Sequence, residues 1–361
     1  MSIAKQKIIV VGAGIIGAIA AYELQSAGAD VLVLDAGRAR ATDASFGWVN
    51  ASFFETQAYF ALRVEGIKAY KRLQKRIDVP ISWNGSLSWE FKGDEFDTYF
   101  NGLQAQGYPS RILTRAEIAA LEPALGTPPA RAIHFTSEAA VESSELTERL
   151  LGRAQSLGAR VAQGFQVTNF VQSGGAIKGV QTKDGVFQAD QVLLAAGTGT
   201  QALLATLGIA LPMLHRPALV LKTRPIRAQL SHVLATDFGE VRQLPCGALL
   251  TPAAIGHQGD TSEDIGADPL AAAETAMSRL RALFPQLSID LASMKLAHRP
   301  VPQDGFPAVG AVADGLFVAT LHSGITLAPL IGELIAQEMT GGPSAASNCW
   351  LSPFRPTRFS T

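Results

Sequence analysis

The chain has 361 residues, a length that suits two or three compact units, or one large domain with an insertion. Hydrophobic residues make up 47% and charged ones 17%, which argues against disorder, and a net charge of −1 leaves no electrostatic footprint for nucleic acid. No run reaches the ~18 uninterrupted apolar residues of a membrane-spanning helix, and a strand starting near Lys7 leaves no room for a signal peptide, so a cytoplasmic protein is expected.

Residues 8–11 (IIVV) are too short for a helix and run straight into glycine, which predicts a buried strand. Gly12, Gly14 and Gly17 follow in G-x-G-x-x-G order at the head of a helix over residues 15–27, with Ile16, Ala20 and Leu24 on one face. The first glycine permits a tight turn, the second lets backbone approach a pyrophosphate, and the third lets helix and strand pack closely. The helix N-terminus adds free N–H groups and about half a positive charge. Gly28 is a C-cap, and residues 31–34 form a second buried strand that ends in Asp35. An acid there can accept both ribose hydroxyls of an adenosine and disfavours a 2′-phosphate, so this unit predicts FAD or NAD rather than NADP.

Residues 38–54 hold small polar residues around Phe46 and Trp48 without a clean period, and read either as a pinned surface loop or as a cofactor lid. In the second reading Thr42, Ser45 and Gly47 offer donors to phosphate. Residues 61–76 have a helical period with Leu62, Ile67, Tyr70 and Leu73 inward and the basic residues on a solvated face. Residues 81–91 alternate around Asn84-Gly85, a hairpin signal. A helix at 94–106 and a capping box from Thr114 to Glu117 complete a region that reads as an insertion.

Residues 143–157, capped by Ser144, predict an amphipathic helix. Short strands over 160–187 turn at Gly174-Gly175 and Asp184-Gly185, and 190–197 is a buried strand ending in Ala195-Ala196-Gly197, where a second close backbone approach is possible. Residues 216–300 change character, with alternating stretches at 218–223 and 243–251 and a helix over 269–284, as in an antiparallel sheet with a covering helix. Buried strands return at 316–320, followed by the tight connection His322-Ser323-Gly324 and a helix over 326–340 stopped by Gly341-Gly342-Pro343. The alternation implies two domains, each discontinuous: 1–79, 135–215 and 297–361 in one, 80–134 and 216–296 in the other. Cys246 and Cys349 lie far apart with no histidine at ligand spacing, so neither a disulfide nor a metal site is expected and both thiols are read as buried or inert.

The stretches VVGAGIIG at Val10, SFGWVNASF at Ser45, LEPAL at Leu121, LLAAGTGTQALL at Leu193, HRPVPQDGFPAVG at His298 and FVATLHSGITLAP at Phe317 together resemble the FAD-dependent D-amino-acid oxidase, glycine oxidase and sarcosine oxidase superfamily. The resemblance spans nearly the whole chain, and its last two motifs are the most specific. It implies an α/β FAD-binding Rossmann-like domain with a parallel sheet, plus an α+β substrate domain with a mainly antiparallel sheet. FAD would lie with its diphosphate on Gly12, Gly14, Ile15 and Gly17, its ribose on Asp35 and Ala36, and its adenine against Val167. Thr42, Ser45, Gly47 and Trp48 belong to the early loop, and Ala196 and Gly197 pack on the cofactor. Ser323, Gly324, Ile325 and Thr326 would present backbone amides to the N1/C2=O edge of the flavin, where negative charge develops on reduction.

The implied reaction takes a hydride from the carbon next to an amine nitrogen to flavin N5 and gives an imine. Arg299 matches an arginine that pairs with the substrate carboxylate, or else forms a structural salt bridge. His322 lines the substrate face, tunes the flavin, or is structural. His298, His215 and His257 read as structural. No cysteine stands at 299–310 and no histidine at 45–52, so the FAD is expected to be noncovalent. The expected partners are a small amine or amino acid and O2 or a quinone as electron acceptor; a homo-oligomer is compatible with this. A flavin-dependent 2-hydroxy-acid oxidase and a flavoprotein subunit of a larger dehydrogenase remain open alternatives.

Overall fold

The strand Lys7–Val11 sits inside a six-stranded sheet whose order runs Ala308–Ala313, Leu316–Thr320, Gln191–Leu194, Lys7–Val11, Asp30–Asp35 and Arg160–Gln163. All neighbours are parallel except the first pair, an antiparallel edge hairpin. The computed structural model describes residues 5–227, 229–254 and 268–360. The inner strands are short apolar runs because both faces of a parallel sheet are covered; Ile8, Ile9 and Val10 are all buried. The helix Ile15–Ser26 is buried almost all round, not on the single face of Ile16, Ala20 and Leu24. It is sandwiched against helices Ser143–Ser156 and Gly324–Gly341.

A second sheet of eight strands runs Leu291–His298, Pro217–Pro225, Ala248–Pro252, Gly239–Gln243, Val233–Thr236, Ser86–Ser88, Arg131–Phe135 and Ser110–Thr114. It is antiparallel except where Val233–Thr236 pairs with Ser86–Ser88. The helix Pro269–Leu283 covers one face over a core that includes Leu219, Leu249 and Met277. The antiparallel sheet expected at 216–300 is thus present, completed by strands from the 80–135 region. Short strands at Val167–Ser173, Ala176–Thr182 and Gly185–Gln188 form a small sheet of their own.

Several local expectations change. Residues 81–91 do not make a hairpin: Ile81–Ser82 pairs with Ala139–Val141, whereas Ser86–Ser88 belongs to the eight-stranded sheet. Gly85, at φ 83°, is where the chain crosses between sheets, and a β-carbon there would lie 2.7 Å from the carbonyl oxygen of Phe135. The N-cap of helix Ser143–Ser156 is Glu142, not Ser144; Ser144 donates to Asp43 (3.1 Å) and Ser143 to the carbonyl of Thr42 (2.9 Å), which ties this helix to the early loop. The basic face of helix Gln57–Leu73 is not wholly solvated, because Arg63 is 2% exposed. Cys246 and Cys349 are exposed, free thiols rather than buried ones. His257 lies outside the described residues. Among the described residues no helix is long and apolar enough to cross a membrane, and no cluster of metal-ligating side chains occurs.

The early loop is held by a carboxyl that the sequence reading passed over. Glu138 is fully buried; its Oε1 accepts from the amides of Ala51 (3.3 Å) and Ser52 (3.1 Å) and from Tyr108 (2.8 Å), and its Oε2 from Trp48 Nε1 (3.0 Å) and Ser86 (2.5 Å). Burial pushes its pKa up, against the pull of these donors. In Glu138→Gln one acceptor oxygen becomes an NH2 group facing donors. A loss of about 1–3 kcal/mol is expected, from the penalty for unpaired buried polar groups. Thermal unfolding checks it; an unchanged midpoint would contradict the anchoring role.

Candidate active site

The C-terminal edge of the six-stranded sheet faces the eight-stranded sheet across a cavity of about 1130 Å³. That exceeds the ~300–1,000 Å³ of common small-molecule pockets and leaves room for a dinucleotide and a small substrate together.

Two helix N-termini open onto it. At the first, Gly12 has φ 106° and a β-carbon there would lie 2.5 Å from the carbonyl oxygen of Ala195; at Gly17 it would lie 1.9 Å from that of Gly12. Neither position accepts a side chain without moving backbone. The loop is pre-set by side chains: Asp35 Oδ2 accepts from the Ala13 amide (2.8 Å), and Thr42 Oγ1 from the Ile15 amide (3.1 Å). Arg40, which the sequence reading did not single out, donates to the carbonyl of Ala13 (2.8 Å) while paired with Asp43 (2.9 Å). It brings a cation to the glycine loop.

The second N-terminus begins helix Gly324–Gly341. Ser323 is its N-cap at φ 53°, the only non-glycine with positive φ among the described residues. Leu327 donates to the Ser323 carbonyl (3.1 Å), so the amides of Gly324, Ile325 and Thr326 have no partner within the helix. These residues, His322 and Arg299 all line the cavity. His322 is held to a pKa of about 3, chiefly by burial, then by the nearby cations Arg299 and Arg63. It is neutral at physiological pH.

All but one of the residues singled out from the sequence lie on this wall; Gly17 sits behind the loop, as its packing role requires. Ala36, Val167, Ala196 and Gly197 line the cavity as expected. Several finer roles differ. Gly47 does not offer its amide to phosphate, since it donates to Ser45 Oγ (3.1 Å). The Thr326 hydroxyl accepts from the Asn50 amide (3.2 Å) and donates to the Trp48 carbonyl (3.3 Å). It binds the early loop to the late helix. Asp35 also holds the Gly37 amide (2.8 Å), and its remaining lone pairs are what a ribose would use. His298 is on the wall, its ring 4.8 Å from that of His215.

The outer wall takes Leu219, Glu240 and Leu296 from the eight-stranded sheet, residues the sequence left unplaced. Arg63, also on the wall, was legible in hindsight: it lies four and seven residues before Ile67 and Tyr70, on their buried stripe. FAD fits what is present, with a glycine turn too tight for side chains, an acid beside it, and a second helix N-terminus in the same cavity.

The DAO family model, FAD dependent oxidoreductase, matches residues 7–338. The chain belongs to this family of FAD-dependent oxidoreductases. Glycine oxidase of Pseudomonas putida is 29% identical over 93% of this chain and 95% of its own length. Among solved structures, glycine oxidase from Geobacillus kaustophilus superposes with a TM-score of 0.84 at 23% identity, covering 98% of this chain and 99% of that one. L-proline dehydrogenase from P. horikoshii gives 0.85 at 20%, covering 99% and 98%. The fold expected from the sequence motifs is the fold observed.

The glycine contacts rank three substitutions. Gly17→Ala and Gly12→Ala are expected to misfold the loop and yield protein with little bound flavin, whereas Gly14→Ala, whose β-carbon would meet only Thr42 Oγ1 at 3.4 Å within the protein, is expected to fold normally and to lose flavin because the β-carbon obstructs the pyrophosphate. The ratio of flavin to protein absorbance after gel filtration measures this, with thermal unfolding as the check on folding; wild-type flavin retention in all three would refute the close-approach account.

Proposed function

We propose that this protein oxidises a small amino acid or secondary amine that carries a carboxylate, using noncovalent FAD. The observation that carries this reading is the single wall on which Arg299, neutral His322 and the free amides of residues 324–326 come together. FAD, when bound, supplies a two-electron acceptor for the hydride on the carbon next to nitrogen.

The chain's own residues do the rest by position and charge. Arg299, half-buried and fixed by its amide to the carbonyl of Arg216 (2.8 Å), presents a planar cation that can grip a carboxylate bidentately. Such a grip orients the α-carbon and leaves the amine lone pair to drive oxidation, so no strong protein base is required. Neutral His322 adds no positive charge against an incoming amine. The amides of residues 324–326 form a preorganised donor set for negative charge developing on the cofactor. Cofactor roles for Gly12, Gly14, Ile15, Asp35, Val167, Ala196 and Gly197 belong to this reading, as does the five-segment division into a cofactor domain and a substrate domain. Relatives named glycine oxidase at 29% identity support it.

Anaerobic bleaching of the flavin by a panel of D- and L-amino acids, N-methyl and cyclic amino acids and 2-hydroxy acids tests the proposal. Bleaching by amines is expected; bleaching by hydroxy acids alone would replace it with the hydroxy-acid reading. Repeating the run in air or with a quinone assigns the acceptor. Arg299→Ala is expected to raise KM for a carboxylate substrate about 10–100-fold, in line with the ~1.5–3 kcal/mol of a charged hydrogen bond, with FAD content unchanged; an unchanged KM would remove Arg299 from substrate binding.

His322 supplies a pH prediction. In the unfolded chain it gains a proton below about 6.5, but in the folded protein only near 3. Its contribution is therefore fully present above pH 6.5 and is lost as pH falls toward 3. Acid unfolding of His322→Gln should show a shallower loss of stability across that window. The pH profile of kcat/KM should show no His322 ionisation between pH 5 and 9, so removal of an inflection there by the same substitution would contradict a neutral His322.

A further inference from the structure

Arg63 is a buried charge for which the proposed mechanism has no use. It projects from helix Gln57–Leu73, is 2% exposed, and reaches the cavity wall. Its donors meet neutral oxygens only: Nε donates to the carbonyl of Asn50 (3.0 Å), Nη1 to the carbonyl of Phe53, and Nη2 to Asn50 Oδ1. Its guanidinium also lies 5.5 Å from the centre of the Tyr59 ring. Among the described residues no carboxylate comes within 4.0 Å of it. Glu138, on the far side of the same segment, uses its oxygens on five donors, and burial raises its pKa. A buried cation without a paired anion carries a heavy desolvation penalty, so this is a poor arrangement for stability alone.

Its neighbourhood indicates what the charge faces. The helix that carries Arg63 is pressed against the first turn of Gly324–Gly341: Tyr70 donates to the Ile325 carbonyl (2.6 Å), and a β-carbon on Gly66 would lie 2.7 Å from the carbonyl oxygen of Thr326. Asn50, which holds Arg63, donates its amide to Thr326. The Arg63 charge is also felt at His322, alongside that of Arg299. A full cation therefore stands beside a positive helix N-terminus, in the region where the proposed mechanism puts growing negative charge.

We propose that Arg63 is a positioning charge whose counter-ion is the electron-rich edge of reduced FAD, so that it sets the reduction potential of the cofactor rather than binding substrate. Both arginines line the cavity, but Arg63 is 2% exposed whereas Arg299 is half-buried. The proposal rests on the placement of the flavin ring at residues 322–326 given above. A preorganised charge of this kind stabilises the reduced form without reorganising and is strengthened by the low dielectric around it.

The test uses holoprotein carrying Arg63→Gln, which removes the charge but keeps donor groups, and Arg63→Lys, which keeps the charge but not the fork. Each is titrated for reduction potential against a reference dye and for sulfite affinity. Sulfite is the probe because its sulfur lone pair bonds to flavin N5 and leaves negative charge at the N1/C2=O edge. In Arg63→Gln the reduced form should lose at least tenfold in relative stability, about 30 mV for a two-electron couple, and sulfite should bind at least tenfold more weakly. Arg63→Lys should stay within about threefold of wild type, with FAD content unchanged in both. Wild-type potential and sulfite affinity in Arg63→Gln, or equal shifts in the two variants, would overturn the proposal. Should Arg63→Gln not fold, wild type decides: its melting temperature should rise on reduction with dithionite, and an equal or lower value overturns the idea. Failure of the underlying reading shows separately, as wild-type protein that takes up no FAD.

Discussion

Three parallel strands lie side by side, Leu316–Thr320, Gln191–Leu194 and Lys7–Val11, and everything functional hangs on that adjacency. Parallel strands all end on the same edge of a sheet, so whatever follows each one in the chain lands along a single line. Here those followers are the glycine turn at Gly12, the small residues Ala195 to Gly197, and the connection from His322 to Thr326. A helix N-terminus follows two of them directly. Residues some three hundred positions apart thus present free amides to one cavity, and the fold achieves this with backbone alone, before any side chain is chosen.

The early loop beside these turns depends on a less regular device. Residues 50–53 are clasped from two sides, with Glu138 accepting from the amides of Ala51 and Ser52 and Arg63 donating to the carbonyls of Asn50 and Phe53. Thr326 secures the same loop to the late helix through the Asn50 amide and the Trp48 carbonyl. Two buried ionisable side chains thus fix the early loop, one to strand Ser86–Ser88 through Glu138 and the other to helix Gln57–Leu73 through Arg63. Arg242 performs a related task one step earlier, donating to the carbonyl of Phe46 and pairing with Glu142 (2.6 Å).

The parallel sheet was legible from the chain because strands buried on both faces are written as unbroken apolar runs bounded by glycine. The antiparallel sheet was legible in class but not in connection. Val233–Thr236 joins Ser86–Ser88 across about 150 residues, and no local pattern encodes such a partner. Asn84-Gly85 misled because a positive-φ glycine serves a crossing between sheets as well as it serves a hairpin. At the site, backbone roles were readable from glycine spacing. Roles that depend on side-chain direction were not: the hydroxyl of Thr326 ties the early loop to the late helix, and Arg63, on a helix face read as solvated, holds Asn50 and Phe53.

Ser323 shows how firmly the late turn is held. Its left-handed backbone is costly for a residue with a β-carbon, by about 1–3 kcal/mol, and glycine would relieve it. Left-handed backbone at the N-cap turns the chain sharply out of strand Leu316–Thr320, so that the free amides of the helix start facing the cavity immediately beyond the sheet edge. The next residue, Gly324, has no side chain, and a β-carbon there would already touch Ile15 and Ile16 of the first helix at 3.8–4.0 Å. The two N-termini are therefore close neighbours, with room for about one methyl group between Gly324 and the first helix. Strain in this turn is sustained by the Tyr70 and Thr326 hydrogen bonds beside it, which makes the late amides a rigid feature of the wall rather than a loop that must order around a ligand.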